Sequence, residues 1–281
     1  MSYGPNPWQQ AHWDWRAAGN FICGGAGSGL ILFAALGGAH GPALADVLVG
    51  ALALIALGLM CVWLEIGRPW RALHVFFNPR TSWMSREAFT AVLLFPTGWA
   101  AATLAPGLLP LAAVLALFFL FCQGRMLRAS RGIPAWREPM AASLIAASGL
   151  TEGAGLYLVS AALHHSPTRW LLIPFSVLLL VRALLWRLYR QRLDTHAAPP
   201  ALSALDQAGR WLHRAGVWLP LALIAAVATG ATPAAWSASL SAAAGLAATL
   251  AGAYLKYTLI TRASYNQGFS LARLPVRGLS P

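Results

Sequence analysis

Residues 64–89, LEIGRPWRALHVFFNPRTSWMSREAF, gather Glu65, Arg68, Arg71, His74, Arg80, Arg86 and Glu87 at the boundary between two apolar runs. A carboxyl can take and give a proton, and imidazole and guanidinium groups donate hydrogen bonds. Together they suit a headgroup that presents two carbonyl oxygens and needs protons as electrons arrive, which is the chemistry of a quinone. Glu65 and Glu87 stand near helix ends, where a carboxylate is costly unless hydrated or paired. Each is therefore expected to bind a nearby arginine or to relay protons. The alternative for Glu87, just after Ser85 and Arg86, is a charge favoured by the N-terminal end of a helix dipole. For Arg71 and Arg80 the alternative is a solvated basic loop.

Two further charges lie deep in apolar sequence. Glu152, in SGLTEGAGLY, falls about 20 Å into its run at the helical rise per residue. A carboxylate there must be protonated, paired or hydrated. Arg182 is the candidate partner, and Glu65, Glu152 and Arg182 are the expected proton-relay groups. In the first run, Gly24, Gly25, Gly27 and Gly29 follow no strand and so form no phosphate loop. They serve close helix packing, or they open a crevice for a flat ring with Asn20 at its mouth.

The elements that position these groups follow from composition. Of the 281 residues, 58% are hydrophobic and 10% are charged, against roughly 25% charged in soluble domains, so a water-soluble fold is excluded. Thirteen Trp agree, because indole concentrates at membrane interfaces. A charge of +12 could suggest nucleic acid, but the arginines punctuate apolar runs instead of clustering on one arm. Cys23, Cys61 and Cys122 lack the paired spacing of zinc or iron–sulfur ligands.

Runs long enough to span a bilayer fall at 18–39, 43–66, 88–105, 107–125, 139–162, 169–189, 214–231 and 235–258. The fold class expected is all-α: a polytopic bundle of eight transmembrane helices. The third and fourth runs, split only by Ala105-Pro106-Gly107, could instead form a re-entrant hairpin. Eighteen of the twenty basic residues fall on one side of this topology, Arg169 alone falls on the other, and Arg182 lies inside a span. Such asymmetry places both termini in the cytoplasm. The chain divides into an interfacial segment 1–17, a membrane domain 18–260 and a cytoplasmic tail 261–281, with 196–202 (HAAPPAL) as a connector and Tyr254, Lys256 and Tyr257 as interfacial anchors. The first seventeen residues are polar and aromatic, so no cleaved leader is expected. The histidines sit at run ends or in loops, which argues against bis-histidine haem.

IGRPWRAL followed by SWMSREAF resembles the second-to-third-helix region of the polysulfide reductase and dimethyl sulfoxide reductase membrane-anchor family. GNFICGGAGSGL (19–30) is similar to that family's glycine-rich first helix, and RASYNQGFSLARLPVRG (262–278) to the tail of one branch, to which YGPNPWQQ also points. The resemblance implies an anchor subunit in a bacterial inner membrane that is not catalytic alone. It implies a quinone, ubiquinone or menaquinone, bound near the membrane face, with no haem and no metal of the chain's own. It also implies partners on the cytoplasmic face: an iron–sulfur subunit and, beyond it, a molybdopterin catalytic subunit. Phenylacetyl-CoA:acceptor oxidoreductases and sulfite-oxidising complexes use anchors of this kind. Asn20, Arg68, His74 and Glu87 match as headgroup-site residues, and the termini favour quinone reduction. The alternatives are a secondary transporter, built around Glu152 and Arg182, and a purely structural tether.

Overall fold

The computed structural model describes residues 7–268 except 39, 67 and 166–168. The described chain is all-helical, with an isolated bridge between Gln9 and Tyr265 as its only extended pairing. Seven helical segments are long and apolar enough to cross a membrane: α1 (Trp15–Leu36), α2 (Gly41–Glu65), α4 (Pro106–Ala129), α5 (Pro139–Leu163), α6 (Arg169–Leu193), α7 (Pro199–Ala228) and α8 (Ala234–Arg262). α3 (Trp83–Thr103) has 21 residues, but Arg86 and Glu87 in its first turns and Pro96 in its interior lower its apolarity. The chain is thus a multi-pass membrane protein. Leu57, Met60, Leu93, Val114, Ile173 and Leu250 project from the bundle, as side chains facing lipid do.

Local sequence explains the helix starts. Pro42, Pro139 and Pro199 stand in the first turns of α2, α5 and α7, where a missing N–H costs nothing and the fixed φ is already helical. The connector reading of 196–202 is corrected accordingly: Pro199 and Pro200 open α7, which begins well before residue 214. Ser82 caps α3, its hydroxyl accepting from the Ser85 N–H at 3.3 Å. The third and fourth runs fall on two separate helices, α3 and α4. Both are full-length helices packed together.

α5 is the hub and packs on α1, α4, α6 and α8. Glycine makes this possible. A methyl on Gly153 would collide with the backbone of Gly29, and one on Gly245 with the backbone of Gly155. Because lipid tails are as apolar as leucine, such close approach, not water exclusion, drives helix association.

Three π turns, Asn20–Gly24 in α1, Arg214–Trp218 in α7 and Thr258–Arg262 at the end of α8, interrupt the regular ladder. An inserted residue leaves carbonyls without a helical donor, and such turns recur at functional sites. Here side chains meet carbonyls in each turn. Gln123 Nε2 donates to Asn20 O at 3.0 Å, Lys256 Nζ to Phe21 O at 2.9 Å, Arg182 Nη2 to Gly216 O at 2.6 Å and Trp136 Nε1 to Leu259 O at 2.8 Å.

Both ends of the described chain meet. Gln10 N–H donates to Ser264 O, and Asn266 N–H to Trp8 O, each at 3.0 Å. Trp13 stacks on Trp136 at 4.9 Å, and Gln267 accepts from Arg137 Nη1 at 2.7 Å. The stretch 262–268 therefore packs on its own chain. The remainder of the resemblance segment 262–278, with Arg273 and Arg277, lies outside the described residues, as does the start of YGPNPWQQ. At the surface, Arg16 beside Asp14 at 3.0 Å lowers the Asp14 carboxyl below its usual range, chiefly through their hydrogen bond.

Candidate functional site: a cleft against a buried carboxyl

The end of α2, a 3-10 segment (Pro69–Phe77) and the first turns of α3 enclose a cleft of ≈ 490 Å³. Its walls include Leu59, Trp63, Ile66, Leu73 and Phe76, and its polar groups are Arg71, His74, Asn78, Ser82, Ser85 and Glu87. The 3-10 segment has few residues packed against the bundle, and Trp70 and Phe77 stay exposed. Volume and composition match small-molecule sites, which are mainly apolar with a few converging polar groups.

Glu87 is the floor of this cleft and is 3% exposed. One turn into α3, it points inward, where Asn20 Nδ2 donates to its Oε1 at 3.2 Å. No cation lies within ion-pair distance of it among the described residues. The neighbouring Arg86 turns away: its guanidinium bonds the Pro79 and Arg80 carbonyls and lies 4.1 Å over the Trp83 ring. Asn20 is itself fixed by the π turn, and its Oδ1 is buried without a partner. A fully satisfied amide would use that oxygen.

The predicted site residues separate. Asn20, His74 and Glu87 come together at or beside the cleft, with His74 Nδ1 at 3.3 Å from the Arg71 carbonyl. Arg68 does not join them. It is exposed at the start of the 3-10 segment, and Arg71, three residues on, lines the cleft in its place. Glu65 is half-buried and borders a second, small chamber shared with Asn20 and Glu87. The glycine-rich run of α1 leaves no crevice: a methyl on Gly24 would meet Gln123, one on Gly25 would come within 2.6 Å of Lys256 Nζ, and one on Gly27 would meet α2.

Deeper in the bundle, Glu152 pairs with Lys256, not with Arg182. Lys256 Nζ donates to Glu152 Oε2 at 2.6 Å, both side chains being essentially inaccessible. Arg182, also fully buried, donates to the Ala248 carbonyl at 3.0 Å and the Gly216 carbonyl at 2.6 Å. It lies beside Glu152 across Gly252, without an ion pair. The expected Glu152–Arg182 pair is thus corrected, as is the reading of Lys256 as an interfacial anchor. Lys256 shares a face with Gly245, Ala248 and Gly252, at spacings of three and four. That small-residue face packs against α5, whereas an anchor would follow the Leu246 and Leu250 face. Gln123, in FFLFCQGRM, was also missed as a site residue. Its signal was an amide inside an apolar run, which needs a partner in the bundle.

Together these features define a multi-pass helical membrane protein with a ring-sized cleft and an unpaired buried carboxyl at one end of the bundle. No family model and no curated protein matches the chain.

Proposed function

We propose that the chain is the membrane anchor and quinone-reactive subunit of a multisubunit iron–sulfur/molybdenum oxidoreductase. It exchanges electrons between a docked cytoplasmic iron–sulfur subunit and the quinone pool, in the direction of quinone reduction. α3 is then an eighth span, and both termini are cytoplasmic in a bacterial inner membrane. The meeting of the two ends of the described chain supports an even number of crossings. The observation that carries the reading is the cleft floored by Glu87. Its apolar walls suit a ring, and a proton-exchanging carboxyl and an imidazole stand within the same lining.

A quinone supplies two-electron, two-proton redox chemistry when bound. The chain's own residues would do the rest. Trp63, Leu73 and Phe76 hold the ring plane and exclude water. His74 hydrogen-bonds one carbonyl oxygen, and Glu87 holds a proton for the other. Asn20 orients the Glu87 carboxyl, which it can do because the π turn and Gln123 fix its backbone. Ubiquinone and menaquinone both fit this description. The iron–sulfur clusters and molybdopterin belong to the partners in this reading.

The test is to purify the full chain in mild detergent with whatever accompanies it, assay iron and molybdenum, and titrate it with a fluorescent quinol analogue. The reading expects metal-bearing partners and one saturable site, weakened about tenfold or more by Glu87→Gln or His74→Ala, as befits loss of a hydrogen bond worth over 1 kcal/mol. Binding that ignores both substitutions would remove the cleft from consideration.

A further inference from the structure

A ring seated in the cleft closes the route by which water reaches Glu87 from that side. A carboxyl that must exchange protons during turnover then needs a second path. Behind Glu87 lies a separate chamber of ≈ 30 Å³, lined by Trp13, Ala17, Asn20, Glu65, Met84 and Glu87, among others. Its volume exceeds the roughly 10–15 Å³ that one water needs. Such a water also needs two to four polar partners. Glu87 and Glu65, which both line the chamber, supply two.

Glu65 links this chamber to the outside. It ends α2, is half-buried, and lies near the N-terminal segment that carries His12, Asp14 and Arg16. Arg16 Nη1 donates to the Leu64 carbonyl at 3.0 Å, tying the N-terminal segment over this spot. Val62 and Met84 line both cavities. Glu87 is therefore the one carboxyl that faces both, with a cleft for a ring on one side and a water-sized chamber on the other.

We propose that a water in this chamber passes protons between Glu65 and Glu87, making Glu65 the proton port of the cleft. The step is a transfer along hydrogen bonds. One proton leaves the Glu65 carboxyl for the water as another leaves the water for Glu87, so no electron or further reactant is needed. The proposal rests on the quinone reading, because it requires an occupied cleft.

The experiment follows hydrogen–deuterium exchange of the Glu87 carboxyl by infrared difference spectroscopy, in the full-length chain with a quinol analogue filling the cleft. The band is assigned by its loss in Glu87→Gln. The expected result is analogue binding within twofold of wild type but exchange slowed about tenfold or more in Glu65→Gln, in keeping with the scale of general acid–base effects. Ala17→Val, which adds two methyl groups at the chamber wall and leaves both carboxyls in place, should slow exchange likewise. Wild-type exchange rates in both variants, with the analogue bound, would overturn the port and leave the quinone reading standing. Failure of the wild-type chain to bind the analogue would instead overturn the quinone reading and the port with it.

Discussion

The bundle buries two carboxyls and treats them oppositely. Glu152 is enclosed by α1, α5, α6 and α8, has a lysine at 2.6 Å, and lines neither the cleft nor the chamber. Glu87 has only neutral amides beside it, those of Asn20 at 3.2 Å and Gln123, and lines both. A buried charge without compensation costs several kcal/mol, so the first arrangement is that of a structural pair. The second leaves a group free to change its protonation. On the proposed function, position in the membrane does not distinguish the working carboxyl from the structural one; the presence of a cation and of a cavity does.

Substitutions can break this contrast. The largest effect is expected for Lys256→Met, which strands Glu152 and should cost about 3–5 kcal/mol of stability, read as a fall in detergent melting temperature or loss of folded protein. Glu152→Gln with Lys256→Met should recover most of it; equal damage in the double variant would mean that the lysine acts on something other than the carboxyl. Glu87→Gln should do the reverse. Quinone-linked turnover should fall about a hundredfold or more, while the melting temperature stays level or rises, because a neutral amide replaces an unpaired acid. A destabilised Glu87→Gln would place both carboxyls in one class.

Smaller effects sharpen the comparison. Gly29→Ala drives a methyl into the Gly149 and Gly153 backbone and should cost about 1–3 kcal/mol, in line with overpacking elsewhere, without changing analogue binding. The least effect concerns the far end of the bundle, where His164 Nε2 meets Asp46 Oδ2 at 3.0 Å. That hydrogen bond raises the imidazole above its ordinary range. The pair therefore contributes fully below pH of about 6.5 and fades as pH climbs through the raised value. The melting temperature should show a slight decline over that interval, absent in Asp46→Asn.

Much of this was legible in sequence, for reasons that differ by residue. Apolar runs of span length follow directly from the cost of bare backbone in lipid, so the membrane class and the position of most helices were readable, though α7 begins at Pro199, well before its apolar run, and among the described residues seven helices, not eight, are long and apolar enough to span. Glu87, His74 and Asn20 were readable as polar groups that a membrane boundary must explain. The partner of Glu152 was not. Arg182 was the candidate as the basic residue inside a span, but the pairing goes to Lys256, which also donates to the Phe21 carbonyl in the π turn of α1. No periodicity announces a π turn. Arg68 and Arg71 could not be ranked either, since Arg68 precedes the 3-10 segment in extended backbone whereas Arg71 lies inside it. The glycine run was read as packing or as crevice, and the side chains that fill it, Gln123 and Lys256, come from distant segments.

The central claim is that the cleft beside Glu87 takes a quinone ring. Photolabelling of the full chain with an azido-quinone, followed by peptide mapping, addresses it directly. The account predicts label concentrated within residues 59–88, competed by unlabelled quinone and lost in Glu87→Gln. Competable label confined to the helices around Glu152 and Lys256, or spread evenly over lipid-facing α6, would contradict it.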